Sequence, residues 1–205
     1  MTCESCRAAV NHPVAAEIAA KLHAACQDIC GCERFRLSDH SPRQVENQEI
    51  LNLIIIDPQG IKDGKIPHPG ALVQIDRGGL SVLRDCAAND EFELTINQLK
   101  ARAERSGAER FFHGVCTFTA GTIRVDGESR LLCVYDTALK EKPSHADVFG
   151  PDLMAMAGSG SISKGEHERR NRARIKRFID KIGDCFVLAK SFRGGAFVRY
   201  SRLEN

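Results

Sequence analysis

Residues 49–57 carry Ile50, Leu51 and the unbroken run Leu53-Ile54-Ile55-Ile56, and Pro58-Gln59-Gly60 then stops the segment. A β-branched run of strand length that is apolar at successive positions points both of its faces into apolar surroundings, because neighbouring side chains in a strand alternate sides. It therefore predicts a central strand covered on both faces. The chain of 205 residues and 22.6 kDa is long enough for one main core and an appendage. Its 42% hydrophobic and 27% charged residues are those of a globular chain, which argues against wholesale disorder or a collagen-like fold. No apolar stretch, the run at Leu53 included, exceeds five residues, far short of the ~20 residues of a membrane-spanning helix. The start Met1-Thr2-Cys3-Glu4-Ser5-Cys6 has neither a basic opening nor an apolar stretch, so a cytoplasmic protein with no membrane partner is expected.

Val14, Ile18, Leu22 and Ala25 recur at helical spacing behind Pro13, predicting a helix over roughly 13–30 that Gly31 ends. The polar, proline-containing segment 38–48 reads as a connector between a Cys-rich helical segment, 1–40, and a main body, 48–205. After the first strand comes a Gly/Pro loop carrying His68. Ala71 to Ile75 and Leu80 to Leu83 are short strand candidates around Arg77-Gly78-Gly79. Asn89 and the acidic Asp90, Glu91 and Glu93 open a helix on which Phe92, Ile96, Leu99 and Ala103 form the apolar stripe, ended by Gly107. Alternation then returns over 111–118, and Thr122 to Val125 and Arg130 to Tyr135 flank Asp126-Gly127 as further strands of a meander. From Thr137 to about Gly160 no element is evident, which predicts a functional loop. Ile175, Phe178, Ile179 and Ile182 mark a C-terminal helix, followed by strands at Phe186 to Leu188 and Ala196 to Tyr200. The order predicts an α+β fold: a mostly antiparallel sheet with about three helices packed on it, plus the Cys-rich helical segment.

Nine cysteines are present, five of them (Cys3, Cys6, Cys26, Cys30 and Cys32) within the first 32 residues. Without an export signal these read as metal ligands or reduced thiols before disulfides. Cys3-x-x-Cys6 and Cys30-x-Cys32 can each give two thiolates to a tetrahedral Zn²⁺, and an iron–sulfur cluster would use the same donors. His23 and Cys26 are spare donors on the expected helix. The geometry is demanding: Cys26 lies ~20 Å from a helix start at Pro13, and seven residues from Cys6 to Pro13 reach at most ~25 Å, so Cys3 and Cys6 arrive only on a nearly extended arm. Cys86, Cys116, Cys133 and Cys185 lie in or beside apolar segments, where a thiol packs as a small hydrophobe.

The formal charge of +2 hides a split. Residues 161–205 carry twelve Lys or Arg against five Asp or Glu, while 1–160 carry seventeen against twenty-two. Arg169, Arg170, Arg172, Arg174, Lys176 and Arg177 crowd the C-terminal helix, where they can lie along phosphates; the bland alternative is a solvated face. The available aromatics, Phe192, Phe197 and Tyr200, are few for a single-strand binder. His68, His113 and His145 are candidate acids, bases or ligands, with Asp147 placed to orient His145. Gly158-Ser159-Gly160 and Arg193-Gly194-Gly195 lack the lysine and hydroxyl residue of a phosphate loop.

Gly79-Leu80-Ser81-Val82, followed by Pro143-Ser144-His145-Ala146-Asp147-Val148, resembles a motif pair in small uncharacterised bacterial proteins. The resemblance covers about ten residues and brings no activity with it. It implies that Ser81, His145 and Asp147 share one pocket. Together these readings predict a cytoplasmic, bacterial, zinc-binding protein that offers a basic C-terminal helix to an anionic partner such as nucleic acid. The alternative is an enzyme acting on a nucleotide or phosphate-containing substrate, with His145 as acid or base, Asp147 orienting it, and Ser81, Arg84, His68 and His113 lining the pocket.

Overall fold

The computed structural model describes residues 3–12, 14–25, 31–57, 60–61, 67–76, 78–104, 110–151, 164–183, 185–188, 192–193 and 196–197. The fold is α+β. The isoleucine-rich run forms β1 (Ile50–Asp57), and β2 (Leu80–Arg84) and β3 (Phe111–Thr119) pair with it on either side, both antiparallel. Further out lie β6 (Cys133–Asp136), β7 (His145–Phe149) and β8 (Phe186–Leu188), giving six strands in the order β6-β7-β2-β1-β3-β8.

Both faces of β1 are covered, as its composition requires. On one face Leu51, Leu53 and Ile55 join Cys116, Phe118, Val134, Ala146 and Val148 under the helix α5 (Lys164–Ile182), which docks through Ile175, Phe178 and Ile182. Phe178 meets Phe118 edge-on at 5.4 Å, an arrangement aromatic rings favour. The short helix α4 (Ala120–Arg124) adds Ile123 to this layer. On the other face Ile54, Ile56 and Leu83 pack under α3 (Asn89–Glu104) through Phe92 and Ile96. The β6–β7 end of that second face carries Cys133, Tyr135 and Phe149, and the N-terminal segment covers it: Cys6, Ala9 and Val10 from α1 (Glu4–Val10), Leu22 from α2 (Ala15–Ala25), Cys32 from a 3-10 turn (Gly31–Arg34), and Leu37.

Several expectations are corrected. Residues 71–75 form no strand but part of a 3-10 helix, Pro69–Asp76; Pro69 suits a helical start, and His68 caps it by accepting the Gly70 N–H at Nδ1 and the Ala71 N–H at its carbonyl. Leu72 and Ile75 are fully buried from that helix, so an apolar run this short fits either geometry. Thr122 to Arg124 are helical, because the Thr119 hydroxyl accepts the Thr122 N–H as an N-cap. The Asp126-Gly127 turn does form a hairpin, with Gly127 at φ +62°, but its strands β4 (Val125–Asp126) and β5 (Ser129–Arg130) stand apart from the main sheet. His145 to Phe149, expected in a loop, is strand β7 between β2 and β6. The N-terminal arm is not extended: α1 packs on α2 and so brings Cys6 back to Cys32.

Segment 38–48 is bonded into the sheet. Ser38 donates to the Ala138 carbonyl, and the fully buried Arg84 donates to Ser41 Oγ, to the Arg43 and Gln44 carbonyls and to both Glu49 carboxylate oxygens, at 2.6 and 3.0 Å. Helix α5 runs over 164–182 as its stripe predicts, Phe186–Leu188 is a strand as expected, and Ala196–Phe197 (β10) pairs with Phe192–Arg193 (β9). Residues 26–30, and with them Cys26 and Cys30, lie outside the described residues, as do 152–163 and 198–205. Among the described residues no helix is long and apolar enough to cross a membrane.

Candidate anion-binding site

Docking α5 through Ile175, Phe178 and Ile182 fixes which of its basic residues face the protein. Arg170, Arg174 and Arg177 follow at spacings of four and three, so they form one stripe beside the buried one. That stripe walls a cavity of about 250 Å³ together with Arg130, Leu131, Ala173 and Pro151. Of the basic residues singled out in the sequence, Arg170, Arg174 and Arg177 converge there; Arg169, Arg172 and Lys176 are exposed and do not line it. Arg130, which closes the opposite wall from the end of β5, was not foreseen. The signal for it is slight: a cation three residues beyond the Asp126-Gly127 turn, just ahead of the buried Leu131 and Leu132.

Carboxylates hold this array in place without neutralising it. Glu166 accepts from Arg169 at 2.9 Å and Arg170 at 2.8 Å, and these two bonds hold its carboxyl down to about 2. Asp126 pairs with Arg177 at 3.5 Å and Lys181 at 3.3 Å, tying α5 to the β4–β5 hairpin. The buried Glu33 accepts from Arg124 Nε at 3.0 Å, from the Val134 N–H and from Arg130. Each of these carboxylates therefore serves two cations, six cationic groups against three carboxylates in these contacts among the described residues. Burial pushes the Arg124 guanidinium down to about 10, partly opposed by Glu49, and burial likewise lowers that of Arg130. Among the described residues Arg130 Nε is buried with no hydrogen-bond partner. An unpaired guanidinium N–H in a desolvated wall is a donor that an entering anion would satisfy.

A second polar group lies on the opposite face, between the α3 patch and the N-terminal patch. Residues directly opposite in neighbouring strands share a face, so the pairs Ser81↔Asp147 and Leu83↔His145 set Ser81, Asp147 and His145 side by side. The Ser81 hydroxyl donates to Asp147 Oδ1 at 3.1 Å, and the Thr137 hydroxyl donates to Asp147 Oδ2 at 2.8 Å. His145 Nδ1 lies 3.1 Å from the Thr137 carbonyl, an acceptor only, so the contact places the proton on Nδ1. His145 reaches Asp147 no closer than 3.8 Å, and Thr137 stands between them. The other two histidines are elsewhere. His113 stacks on Phe186 with centroids 5.3 Å apart on β3, separated from β7 by β1 and β2, roughly 14 Å at ~4.8 Å per strand. His68 caps the 3-10 helix. Arg84 is committed to Glu49 and the 38–48 segment, whose bonds occupy its guanidinium.

Of the N-terminal cysteines, Cys6 and Cys32 are joined as a disulfide with Cα atoms 6.1 Å apart, and Cys3 is a free, partly buried thiol packed against the same apolar cluster. Cys133, expected to be a packing thiol, sits in that cluster and is itself disulfide-bonded, with a partner outside the described residues. Cys116 is buried, its thiol pushed up by a bond to the Cys185 thiol and by burial. Cys86 is exposed rather than packed, and donates to Ser144 Oγ at 3.4 Å. Cys86 also brings its sulfur within 4.8 Å of Asp85 and Glu49 oxygens, but Glu49 is committed to Arg84. No family model, curated protein or solved structure matches this chain.

Proposed function

We propose that the protein binds the phosphate backbone of a nucleic acid across the α5 face, with successive phosphates running along the cleft between α5 and the β4–β5 hairpin and meeting the four arginines that line it. The observation that carries this reading is the convergence of Arg130, Arg170, Arg174 and Arg177 on one cavity with an excess of positive charge around it. Four planar, always-charged donors around a concave site match the acceptor geometry of a phosphate better than that of a solvated surface. The test is fluorescence anisotropy of labelled single- and double-stranded oligonucleotides at about 50 mM salt, a condition in which phosphate contacts are strong. Saturable binding that Arg170→Gln/Arg177→Gln weakens supports the reading. Absence of binding to every oligonucleotide, or equal competition by polyglutamate, removes nucleic acid as the partner.

A second reading rests on the exposed Ser81 hydroxyl donating to the buried Asp147. In an enzyme Asp147 would take the Ser81 proton as Oγ attacks an acyl or phosphoryl centre and expels its leaving group, with the Thr137 hydroxyl holding the carboxylate in place and His145 bonded to the Thr137 carbonyl behind it. Labelling of Ser81 by a fluorophosphonate probe supports this version, and an unlabelled Ser81 ends it.

A further inference from the structure

The four arginines of the cleft are not equally reachable from solvent. Arg170 and Arg177 stand exposed along α5, whereas Arg174, set between them, is buried, as are Leu131 and Pro151. The cleft is therefore open along a rim of exposed arginines and stops against buried side chains. Arg130 belongs to the inner end. Its guanidinium is partly buried and paired with the buried Glu33, which Arg124 and the Val134 N–H hold in place. Among the described residues its Nε has no hydrogen-bond partner, and a charged donor left unpaired in a desolvated wall is costly.

An internal phosphodiester is poorly suited to that end. It offers two unesterified oxygens and one charge, and its backbone leaves in both directions, so reaching Arg130 would crowd two flanking nucleotides into a space of about 250 Å³. A phosphate monoester at the end of a strand offers three unesterified oxygens and carries about 1.5 to 2 negative charges at pH 7. Its backbone leaves on one side only, toward the rim.

We infer that the inner end of the cleft takes the terminal phosphate monoester of a nucleic acid strand, held by Arg130, while the adjoining diesters meet the arginines of α5. This rests on the nucleic-acid reading and narrows it to phosphorylated strand ends, 5′ and 3′ forms sharing the same chemistry.

The test uses the full chain and competition measured by anisotropy at about 50 mM salt. Three single strands of matched composition are compared: ten nucleotides with a 5′-phosphate, ten with a 3′-phosphate, and eleven with hydroxyl ends. All three carry the same number of phosphates, so general attraction to the backbone is matched. At least one phosphorylated strand should bind more than about tenfold tighter than the hydroxyl-ended one, the gain from one further charge-assisted hydrogen bond. Whether one or both do so tells which end is read. Arg130→Gln should bring the ratio close to one, while Arg170→Gln weakens all three strands and leaves the ratio as it was. The ratio is measured on the unaltered protein, so the inference can be refuted even where Arg130→Gln does not fold. Phosphorylated strands that bind no tighter than the hydroxyl-ended one overturn the inference and leave the nucleic-acid reading standing, as does a preference that survives in a folded Arg130→Gln variant. Binding of none of the three removes both.

Discussion

Replacing Arg170 and Arg177 together with Gln removes two of the four cations that line the cleft while sparing the buried Arg174, which is 7% exposed. Both side chains are largely solvated, at 47% and 60% exposure, so the variant should keep its fold, with a stability change within about 0.5 kcal/mol. If the four arginines each neutralise one phosphate, the logarithm of affinity for a duplex falls with the logarithm of salt at a slope of about 3.6, from ~0.9 per phosphate. A rise from about 50 to about 200 mM salt then weakens wild-type binding roughly 150-fold, and the variant, with a slope of about 1.8, only roughly 12-fold. For a single strand, at ~0.7 per phosphate, the corresponding losses are roughly 50-fold and 7-fold. Anisotropy titrations at four or five salt concentrations measure the slope directly, with a thermal melt as the control for folding. An unchanged slope in a variant that melts like wild type refutes the cleft as the phosphate contact, whatever happens to the absolute affinity.

Glu166→Gln removes the carboxylate that occupies Arg169 and Arg170. Since that carboxyl stays ionised well below neutral pH and the pair is exposed, anion binding should tighten modestly, by up to about fivefold, and weaker binding would contradict the competition. Glu33→Gln breaks a buried ion pair with Arg124 and should cost about 3 to 5 kcal/mol, read as a melting-temperature drop of roughly 6 to 20 °C; a drop under about 3 °C would show that Glu33 does not organise this corner. Asp136 is raised above the usual carboxylate range by burial, against the opposing pull of Ser41 and Arg84. The native chain therefore keeps the Asp136 proton where the unfolded chain has released it, and this contribution is fully present below the ordinary aspartate value of ~3.9 and is lost as pH rises through the native value. Asp136→Asn should remove this fall in stability with rising pH and leave a steeper acid limb in the stability-versus-pH curve, and an identical curve would contradict the assignment.

The parts of the fold that were legible in the sequence are those where one periodicity dominates. The isoleucine run gave β1, the stripe from Phe92 to Ala103 gave α3, and Ile175 to Ile182 gave α5, each because apolar spacing and burial coincide. Strand β7 was hidden because its alternation is short, with only Ala146 and Val148 on one face, while the other carries His145 and Asp147, buried polar groups satisfied by Ser81 and Thr137 rather than by solvent. The 3-10 helix at Pro69 was hidden for the opposite reason: five residues with apolar ends fit strand and helix alike. At the cleft, helical spacing placed Arg170, Arg174 and Arg177 together, but Arg130 arrives from forty residues away through the packing of α5 on the hairpin. Cys133 is invisible in the same way, being one thiol in an apolar strand until the 3-10 turn docks beside it. The placing of Ser81, His145 and Asp147 together followed from the register of β2 with β7.

The claim on which the account turns is that an anion enters the cleft and meets Arg130 and Arg174, rather than skimming the exposed side of α5. A nitrogen-edited spectrum of the arginine Nε–H groups during titration with a phosphorylated oligonucleotide observes this contact itself. The Nε–H signals of Arg130 and Arg174 should move saturably and together with those of Arg170 and Arg177. Movement confined to Arg169 and Arg172, with Arg130 and Arg174 unmoved, would contradict it.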